Sequence, residues 1–363
     1  MSDVPHLRFP EFTERWDTYR IADILCIGNG RDYKHLSKGD IPVFGTGGYM
    51  TSVNECLYEG ETTFIGRKGT INKPFYYNGK FWTVDTLFYT HSFKRVIPKF
   101  VYCLFQTINW LRYNEASGVP SLSKDTIEKI KVRIPQLDEQ KKIAKLLSLL
   151  DERIATQNKI IEDLKKLKYA IIEMEYGNMA KSISYIGDFI EQTSKRNKDC
   201  AILNVLSVSN SQGFIQQSEQ FENRIVASDD TSNYKIVARN DFAFNPARIN
   251  VGSIARLTTF ERGIVSPMYI CFRTKDNLFP EYLDYYFESK RFFAEIQKRL
   301  EGSVRQCLSF EGLCNIPLCI PTVEVQQQIG KRLSTLAKEI KLEIDFLELL
   351  QRQKRFLLHQ IFI

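Results

Sequence analysis

The sequence has few of the residues that build metal or disulfide sites. Its eight cysteines include no Cys-x-x-Cys pair, and its four histidines are scattered along the chain. Zinc sites and disulfide frameworks both depend on clustered residues of these types. We therefore expect no metal site, and we interpret the cysteines as reduced and mostly buried thiols.

Long hydrophobic runs are also missing. No stretch of about 18 apolar residues without charges occurs, which excludes an α-helix that crosses a membrane. The first residues, MSDVPHLRFPEF, lack the basic and then apolar order of a secretion signal. We expect a cytoplasmic protein with no membrane partner.

Motifs that would mark an enzyme are absent or incomplete. Neither a GxxxxGK[ST] phosphate loop nor an HExxH zinc motif occurs, so ATP hydrolysis and zinc proteolysis are unsupported. FGTGGY (residues 44–49) is similar to the glycine-rich turn of an S-adenosylmethionine-binding methyltransferase, but a plain glycine-rich loop fits it better. FNPARIN (residues 244–250) has Ala247 where the adenine methyltransferase motif Asn-Pro-Pro-aromatic has its second proline. The Glu139-Gln140-Lys141 triplet has nuclease-like spacing, yet capping and solvation of a helix start are the better interpretation.

The composition that remains is typical of a folded, soluble protein. Hydrophobic residues make up 43% of the 363 residues, aromatic residues 12% and charged residues 26%. At roughly 150 residues per domain, this length predicts two or three domains. The net charge of +7 permits nucleic-acid binding without requiring it, because only clustered basic residues form an electrostatic site for DNA.

An internal repeat organises the chain. The segment LSKDTIEKIKVRIPQLDEQKKIAKLL starts at Leu122, and it aligns with LSFEGLCNIPLCIPTVEVQQQIGKRL, which starts 186 residues later at Leu308. Both copies contain the pattern Ile-Pro-x-x-x-x-Gln, which ends at Gln140 in the first and at Gln326 in the second. Upstream of these segments the two halves match only weakly. Each repeat is therefore predicted to consist of a variable domain and a better-matched tail.

The tails have the pattern of long α-helices. Apolar residues recur in alternating steps of four and three over about five heptads, which favours an intramolecular coiled coil over two separate surface helices. The predicted seam residues are Ile143, Leu147, Leu150, Ile154, Ile161 and Leu164 in the first tail, and Ile329, Leu333, Leu336, Ile340, Leu347 and Leu350 in the second. The polar exceptions also align, Gln157 with Glu343 and Lys168 with Lys354, and they are candidates for fixing the register.

Chain connectivity determines the direction of the two helices. The second variable domain starts where the first long helix ends and finishes where the second begins, so the helices are predicted to run antiparallel. A helix of 40 residues spans roughly 60 Å, and the coil is expected to separate the two domains under an approximate two-fold symmetry. The predicted boundaries are 1–134 and 177–321 for the variable domains, and 135–176 and 322–363 for the coil helices. A coil formed between two molecules stays open as an alternative.

The variable domains are predicted to be rich in β-strands. Segments such as FYYNGKFWTVDTLFYTHSF place aromatic and β-branched residues between Gly and Asn turns. Short helices are predicted over 98–114 and 280–300. The expected fold class is α+β, with two β-rich domains in tandem repeat and a long antiparallel two-helix coil.

Basic residues among aromatic side chains and glycine turns are the candidate binding residues. Lys and Arg neutralise phosphates, and Arg with guanine or Asn with adenine makes bidentate contacts in the major groove. The candidates are Arg31, Lys34, Arg67, Lys68 and Lys73 in the first domain, and Lys195, Arg196, Lys198, Arg248, Asn250 and Arg305 in the second. Arg239 and Arg256 are further basic residues of the second domain. No catalytic residue is predicted.

Together these features resemble the specificity subunit of type I restriction-modification enzymes. The resemblance rests on the opening LRFPEF with Trp16, on the segment GVPSLSKDTIEKIKVRIPQLDEQKKIAKLLSLLDERI and on its echo GSVRQCLSFEGLCNIPLCIPTVEVQQQIGKRL. It covers the whole chain. One departure is that the second tail has Val325, Gln327 and Gln328 where the first has Glu139, Lys141 and Lys142.

The resemblance implies a DNA-binding subunit that has no catalytic role. Each variable domain would be a target-recognition domain that binds one half of a bipartite site in double-stranded DNA. The conserved helices would dock two modification (methyltransferase) subunits, which hold S-adenosylmethionine and methylate adenine. Restriction subunits would use ATP and Mg for translocation and cleavage, so this chain itself would bind no cofactor.

Two other functions stay open at this point. A stand-alone adenine methyltransferase would use FGTGGY and FNPARIN, and it would bind S-adenosylmethionine without a partner. A coiled-coil adaptor without DNA affinity would not depend on Arg67 or Arg248.

Overall fold

The chain folds into two compact units. The computed structural model describes residues 5–177, 184–210, 212–217, 230–302 and 306–362. Unit 1 comprises Met1–Lys159 and Asp345–Ile363, and unit 2 comprises Ile160–Ile344. Two long helices, α4 (Leu137–Gly177) and α9 (Val323–Ile361), contribute residues to both units. The α+β prediction is confirmed, with two tandem β-rich domains that are each followed by a long helix.

Unit 1 contains a six-stranded sheet. Its strands are β2 (Cys26–Asn29), β3 (Lys38–Gly45), β4 (Gly48–Val53), β5 (Tyr58–Gly66), β6 (Phe75–Thr83) and β7 (Leu87–His91). Their order is β2-β7-β5-β6-β3-β4, in which β3 and β6 run parallel and the other neighbours run antiparallel. A separate pair joins β1 (Asp17–Arg20) antiparallel to β8 (Lys131–Ile134). The short helices are α1 (Ile21–Ile24), α2 (Pro98–Phe105) and α3 (Lys124–Lys129), with a 3-10 turn at Trp110–Tyr113.

The core of unit 1 brings both ends of the chain together. Its largest buried cluster includes Trp16, Phe100, Trp110, Ile143, Leu147, Leu358 and Ile361. The Phe362 ring lies 6.1 Å from the Trp16 ring, and the backbone N–H of Leu7 donates to the carbonyl of Gln360 at 3.0 Å. The segment before β1, which contains Leu7 and Trp16, thus packs against the last turns of α9.

Unit 2 contains two four-stranded sheets within its described residues. The strands are β9 (Ile190–Thr193), β10 (Val205–Ser209), β11 (Gly213–Gln216), β12 (Lys235–Ala238), β13 (Phe242–Phe244), β14 (Ile254–Arg256), β15 (Arg262–Val265) and β16 (Ile270–Thr274). They form the sheets β11-β10-β15-β12 and β14-β13-β16-β9. The helices are α5 (Ile186–Phe189), α6 (Pro280–Tyr286), α7 (Lys290–Gln297) and α8 (Phe310–Cys314), with a 3-10 turn at Ile249–Val251.

The short helices are broken where the sequence predicts continuous ones. In place of one helix over 98–114, α2 ends at Phe105 and a 3-10 turn follows at Trp110–Tyr113. In place of one helix over 280–300, α6 and α7 are separated at Ser289. The Ser289 hydroxyl caps α7 by accepting a hydrogen bond from the Phe292 N–H at 3.2 Å, which favours an extended backbone at residue 289. The apolar periodicity continues through this cap, so it does not show the break.

The predicted seam faces inward along both long helices. Ile143, Leu147, Leu150, Ile161, Ile329, Leu333, Ile340 and Leu350 are buried, and Ile154, Leu164, Leu336 and Leu347 are half-buried. Within unit 1, Lys354 of α9 pairs with Asp151 of α4 at 2.5 Å. Within unit 2, Arg332 of α9 pairs with Glu175 of α4. In each unit the segments of α4 and α9 therefore lie against each other.

The two seam lysines have partners that link helix to domain. Lys168 binds Glu288, which lies just after α6, at 2.7 Å, and its Nζ lies 5.1 Å from the Tyr285 ring. Lys354 lies 5.6 Å from the ring of Tyr102 in α2. Each lysine thus contacts the tyrosine of a short domain helix.

The glutamine of the Ile-Pro-x-x-x-x-Gln pattern fixes the start of α4 to its domain. Gln140 is fully buried. Its side chain accepts from the Ile97 N–H at 3.1 Å and donates to the carbonyls of Arg95 and Pro135 at 2.9 and 2.8 Å. Ile97 is the residue before α2, and Pro135 lies just before α4. The side-chain amide of Gln140 therefore hydrogen-bonds to the backbone at the starts of both helices.

Gln326 makes the same three hydrogen bonds in unit 2. It is also fully buried. It accepts from the Phe279 N–H, the residue before α6, at 2.8 Å, and it donates to the carbonyls of Asn277 and Pro321 at 3.1 and 2.9 Å. The repeated sequence pattern therefore encodes a repeated junction between long helix and domain.

Glu139 corrects one interpretation made from the sequence. The expected capping and solvation role is wrong, because the residue is 1% exposed. Its carboxylate accepts two hydrogen bonds from the guanidinium of Arg8, at 2.8 and 2.7 Å, and one from the Trp16 indole at 3.3 Å. The N-terminal segment LRFPEF is thereby attached to the first turn of α4.

The cysteines are less buried than expected. All eight are free, but only Cys103 and Cys271 are buried, whereas Cys26, Cys56 and Cys200 are exposed. Burial raises the pKa of the Cys103 and Cys271 thiols to about 12. In the described ranges no helix is long and apolar enough to span a membrane.

Candidate nucleic-acid interface

Two candidate arginines of unit 1 are attached to one turn. The turn joins β6 to β7 at residues 84–86. The Arg31 N–H donates to the carbonyl of Thr83, and the Arg67 N–H donates to that of Thr86, both at 2.8 Å. Both side chains are exposed. The backbones of both arginines are therefore fixed to the two sides of this turn, and the Arg67 guanidinium donates to the Asp85 carbonyl at 3.3 Å.

A glycine before each of these arginines allows a close backbone approach. A Cβ on Gly30 would lie 1.9 Å from the carbonyl oxygen of Val84, and one on Gly66 would lie 2.2 Å from that of Thr70. Neither distance is possible for a side chain. Gly30, before Arg31, thus lets the backbone approach the β6–β7 turn, and Gly66, before Arg67, lets its loop fold back closely on itself.

The loop that contains Arg67 is held on its other side as well. The Leu122 N–H donates to the Arg67 carbonyl at 2.9 Å, and the Gly69 N–H donates to the Pro120 carbonyl at 2.8 Å. Lys68, between them, is exposed. The start of the repeated segment, at Leu122, thereby supports a loop in which Arg67 and Lys68 are exposed.

Lys34 and Lys73 lie in the flanking loops. The Trp82 indole donates to the Arg31 carbonyl at 2.9 Å, and its ring lies 5.9 Å from the His35 ring, which ties the loop of Lys34 to the same strand end. Lys73 is exposed in the loop between β5 and β6. We name this set of Arg31, Lys34, Arg67, Lys68 and Lys73 the unit 1 basic edge.

In unit 2, three candidate residues line one cleft. Lys195, Arg196 and Lys198 surround a cavity of about 680 Å³ together with Arg262 of β15. Asp199 is the acidic residue among the residues that line it. Arg262 was not among the candidates, because its position beside Glu261 in the sequence gives no sign of the cleft. We name Lys195, Arg196, Lys198 and Arg262 the unit 2 basic cleft.

A buried asparagine shapes this cleft. Asn197 is fully buried, and its amide donates to the Ile202 carbonyl at 2.9 Å and accepts from the Ile202 N–H at 3.1 Å. Its backbone N–H donates to the Tyr234 carbonyl at 3.0 Å. Arg196 and Lys198, on either side of it, are left exposed. Sequence reasoning missed this residue, since a polar residue between cations looks like solvated surface.

The remaining candidates of unit 2 lie elsewhere. Arg248 is exposed and Asn250 is half-buried at the 3-10 turn Ile249–Val251. Arg239 pairs with Glu261 at 2.6 Å, and Arg256 pairs with Asp284 at 3.1 Å. Those two arginines therefore serve internal contacts. Arg305 lies outside the described residues.

FGTGGY and FNPARIN are structural turns. FGTGGY forms the hairpin between β3 and β4, with Gly45 paired to Gly48. In FNPARIN, the buried Asn245 accepts a hydrogen bond from the Ala247 N–H at 3.1 Å, and the Pro246 carbonyl accepts one from the Leu308 N–H at 3.0 Å. Among the described residues no group of three or more His, Cys, Asp or Glu side chains is arranged to hold a metal ion.

Comparisons with known proteins agree with this arrangement. The family described as type I restriction modification DNA specificity domain matches the chain twice, over residues 13–166 and 177–352. Each match spans one variable domain and most of the long helix that follows. A type I restriction enzyme MjaVIII specificity subunit of Methanocaldococcus jannaschii is 24% identical over 339 residues, which cover 82% of this chain and 75% of that protein.

One further relative matches a shorter part of the chain, and two solved structures match nearly all of it. A putative type I specificity subunit, S.MpnORF201P of Mycoplasma pneumoniae, is 25% identical over 184 residues, or 48% of this chain and 73% of that protein. The crystal structure of a type I restriction-modification system S subunit from M. genitalium superposes with a TM-score of 0.68 at 14% identity, covering 99% of each chain. A structure on complex assembly of the type I R-M system gives a TM-score of 0.53 at 13% identity, over 94% of this chain and 96% of the other.

Proposed function

Because this chain belongs to the type I restriction modification DNA specificity domain family and contains that domain twice, it is a specificity subunit, and we propose that each unit binds one half of a bipartite DNA target. Unit 1 would bind its half-site through the unit 1 basic edge. Unit 2 would bind the other through the unit 2 basic cleft.

The observation that carries this proposal is one separate basic surface in each unit. In the described part of the chain, no ion pair joins a carboxylate to any of the five cations of the edge or the four of the cleft. Cations that are neither buried nor paired can neutralise DNA phosphates at little desolvation cost. The two surfaces therefore have the electrostatics that a pair of half-sites requires.

The surfaces would share the work of binding and of base recognition. The backbones of Arg31 and Arg67 are hydrogen-bonded to one turn, and the planar guanidinium of arginine suits bidentate contact with guanine. Lys195 and Lys198 carry flexible point charges beside a concave surface, which suits the phosphate backbone. We assign base recognition mainly to the arginines and positioning mainly to the lysines.

We further propose that the long helices dock the other subunits of the complex. Large apolar side chains off the seam are exposed at 40–63%, namely Leu149, Ile160, Leu167, Leu342, Leu349 and Phe356. Apolar residues in such number on helices whose seams are already buried favour a protein partner. The partners would be two modification subunits that hold S-adenosylmethionine, together with restriction subunits that use ATP and Mg.

The experiment is to map methylated adenines in cells that express this chain with a modification subunit. We expect one two-part motif with a fixed gap, and no methylation or cleavage by this chain alone. Methylation by the isolated chain would overturn the proposal in favour of a stand-alone methyltransferase. Intact complexes that give no motif would contradict DNA recognition by one or both units.

A chimera separates the contributions of the two units. Exchange of residues 1–134 with those of another family member should change one half of the motif and leave the other half and the gap unchanged. A chimera in which both halves change would contradict independent half-site recognition.

A further inference from the structure

The hairpin of FGTGGY has two large apolar side chains that face solvent. Tyr49 is 64% exposed and Met50 is 50% exposed. Successive residues of a strand point to opposite faces, so exposure of both means that the hairpin is uncovered on both faces at this point. Beyond the last pair of β3 with β6, Phe44 with Thr83, the end of the hairpin therefore forms a short two-stranded ribbon at the edge of the six-stranded sheet.

The ribbon is held firmly at its base. The Tyr49 ring lies 6.5 Å from the Phe44 ring, edge to face, and its hydroxyl lies at hydrogen-bond distance, 3.1 Å, from that of Ser52. At the tip, Gly47 and Gly48 have no heavy atom within 4 Å of where a Cβ would be. A fixed tyrosine below a bare glycine tip can contact a partner with little loss of side-chain entropy.

The unit 1 basic edge adjoins this ribbon. The Val84 N–H donates to the Phe44 carbonyl at 3.0 Å, which joins the hairpin to the turn that the backbones of Arg31 and Arg67 contact. On the other side, a Cβ on Gly69 would lie 3.7 Å from the Thr46 hydroxyl. Arg67 and Lys68 therefore extend from a loop that touches the hairpin itself.

From this arrangement we propose that the β3–β4 hairpin enters the major groove of the first half-site, where Tyr49 and Met50 contact base edges. This inference rests on the proposed function. The major groove is about 12 Å wide and admits a two-stranded β-ribbon in undeformed B-DNA, whereas the minor groove, about 6 Å wide, takes β-strands only when the DNA is deformed. With the ribbon inserted, the cations beside its base would lie near the phosphates. Tyr49 and Met50 would then lie against the bases.

In the major groove, the hairpin would determine specificity for the methyl groups of the pyrimidine bases. Apolar side chains distinguish thymine by its C5-methyl group. Every base pair contains one pyrimidine, so replacing thymine by uracil or cytosine by 5-methylcytosine alters the major-groove edge of any pair by one methyl group. The minor-groove edge is unchanged by either replacement.

The test combines these base replacements with changes in the hairpin. The complex of the full chain with its modification subunit is titrated with duplexes that carry one replacement at a time across the first half-site. We expect at least one replacement to change the affinity of the unmodified complex about 3- to 20-fold, and the double variant Tyr49→Ala/Met50→Ala to lose that sensitivity. Tyr49→Phe should retain it, because the tyrosine hydroxyl is directed at Ser52.

Met268→Ala is the matched control. Met268 is 56% exposed in unit 2, and its removal should leave first-half-site sensitivity as it is. Hairpin variants that keep the full sensitivity of the unmodified complex would overturn the inference, as would the absence of any response to the replacements. Failure of the proposed function looks different, since the unmodified complex would then bind no duplex selectively.

Discussion

The two units share one junction and differ in their binding surfaces. Gln140 and Gln326 make the same three hydrogen bonds, each to the N–H before a short helix and to two carbonyls. The candidate cations, by contrast, differ in their surroundings. In unit 1 they lie near the β6–β7 turn and the β3–β4 hairpin, and in unit 2 they line a concave cleft. The repeat therefore preserves how a domain is attached to its helix, whereas the surfaces that we propose for DNA binding differ between the units.

A second difference lies at the start of the long helices. In unit 1, Glu139 is buried against Arg8 and Trp16, and the Glu139 carboxylate raises the pKa of Arg8 through their hydrogen bond. In unit 2, the aligned residue is Val325, which is 39% exposed. The same helical position is thus part of the core in one unit and part of the surface in the other.

The largest expected effect tests that difference. Glu139→Ala should lower the free energy of unfolding by about 2–4 kcal/mol, because it leaves the Arg8 guanidinium, 10% exposed, without its carboxylate. Val325→Ala should cost under about 0.5 kcal/mol. Urea denaturation of the two variants measures both values. Equal losses would show that the two helix starts are not distinct.

The next effect tests the shared junction. Gln140→Ala and Gln326→Ala should each lower the free energy of unfolding by about 2–3 kcal/mol, since a buried N–H and two carbonyls lose their partner. Gln327→Ala, at an exposed position beside Gln326, is the control and should have little effect. If only one of the two buried glutamines proved costly, the junctions would not be equivalent.

A smaller effect separates the two binding surfaces. Arg67→Ala should weaken DNA binding by about 1–3 kcal/mol and relax the choice of bases at the first half-site. Lys198→Ala should weaken binding by the same factor on cognate and scrambled duplexes. It should also reduce the slope of log affinity against log salt by about 1. Titrations at several salt concentrations on cognate and scrambled duplexes distinguish the two. A sequence-independent effect of Arg67→Ala would contradict its assignment to base recognition.

The smallest expected difference is in the reactivity of the thiols, and it is measured on the unmutated protein. Cys26, Cys56 and Cys200 are exposed and should react with iodoacetamide in the native protein at pH 8. Cys103 and Cys271 should react only after unfolding, because burial raises their pKa to about 12 and blocks access. Peptide mass spectrometry after timed alkylation measures each site. Rapid native labelling of Cys103 would contradict the tight core of unit 1.

The periodic features of the fold could be predicted from the sequence. A heptad pattern fixes which face of a long helix is buried, so the seam residues and both helices follow from spacing alone. The repeat in turn predicts that what surrounds Gln140 also surrounds Gln326. These inferences depend on local order along the chain, which a single sequence displays.

The contacts between distant residues could not be predicted in this way. Glu139 meets Arg8 across 131 positions, and no local pattern marks the pair. Lys168 interrupts the seam as if to fix register, yet its partner is Glu288 of the domain. Arg262, the first residue of β15, lines the cleft together with Lys195. Its neighbours in the sequence do not indicate this contact. Each case depends on topology, which brings together segments that the sequence keeps apart.

The shared core of the two chain ends has a consequence for the order of folding during synthesis. The core of unit 1 includes Leu358 and Ile361 with Trp16, so this core cannot be complete until residues 358–361 have left the ribosome. Unit 2 is a continuous stretch of chain and can form earlier. Unit 1 is therefore completed after unit 2, although its synthesis starts earlier, and a chain cut short before Leu358 would lose part of the packing around Trp16.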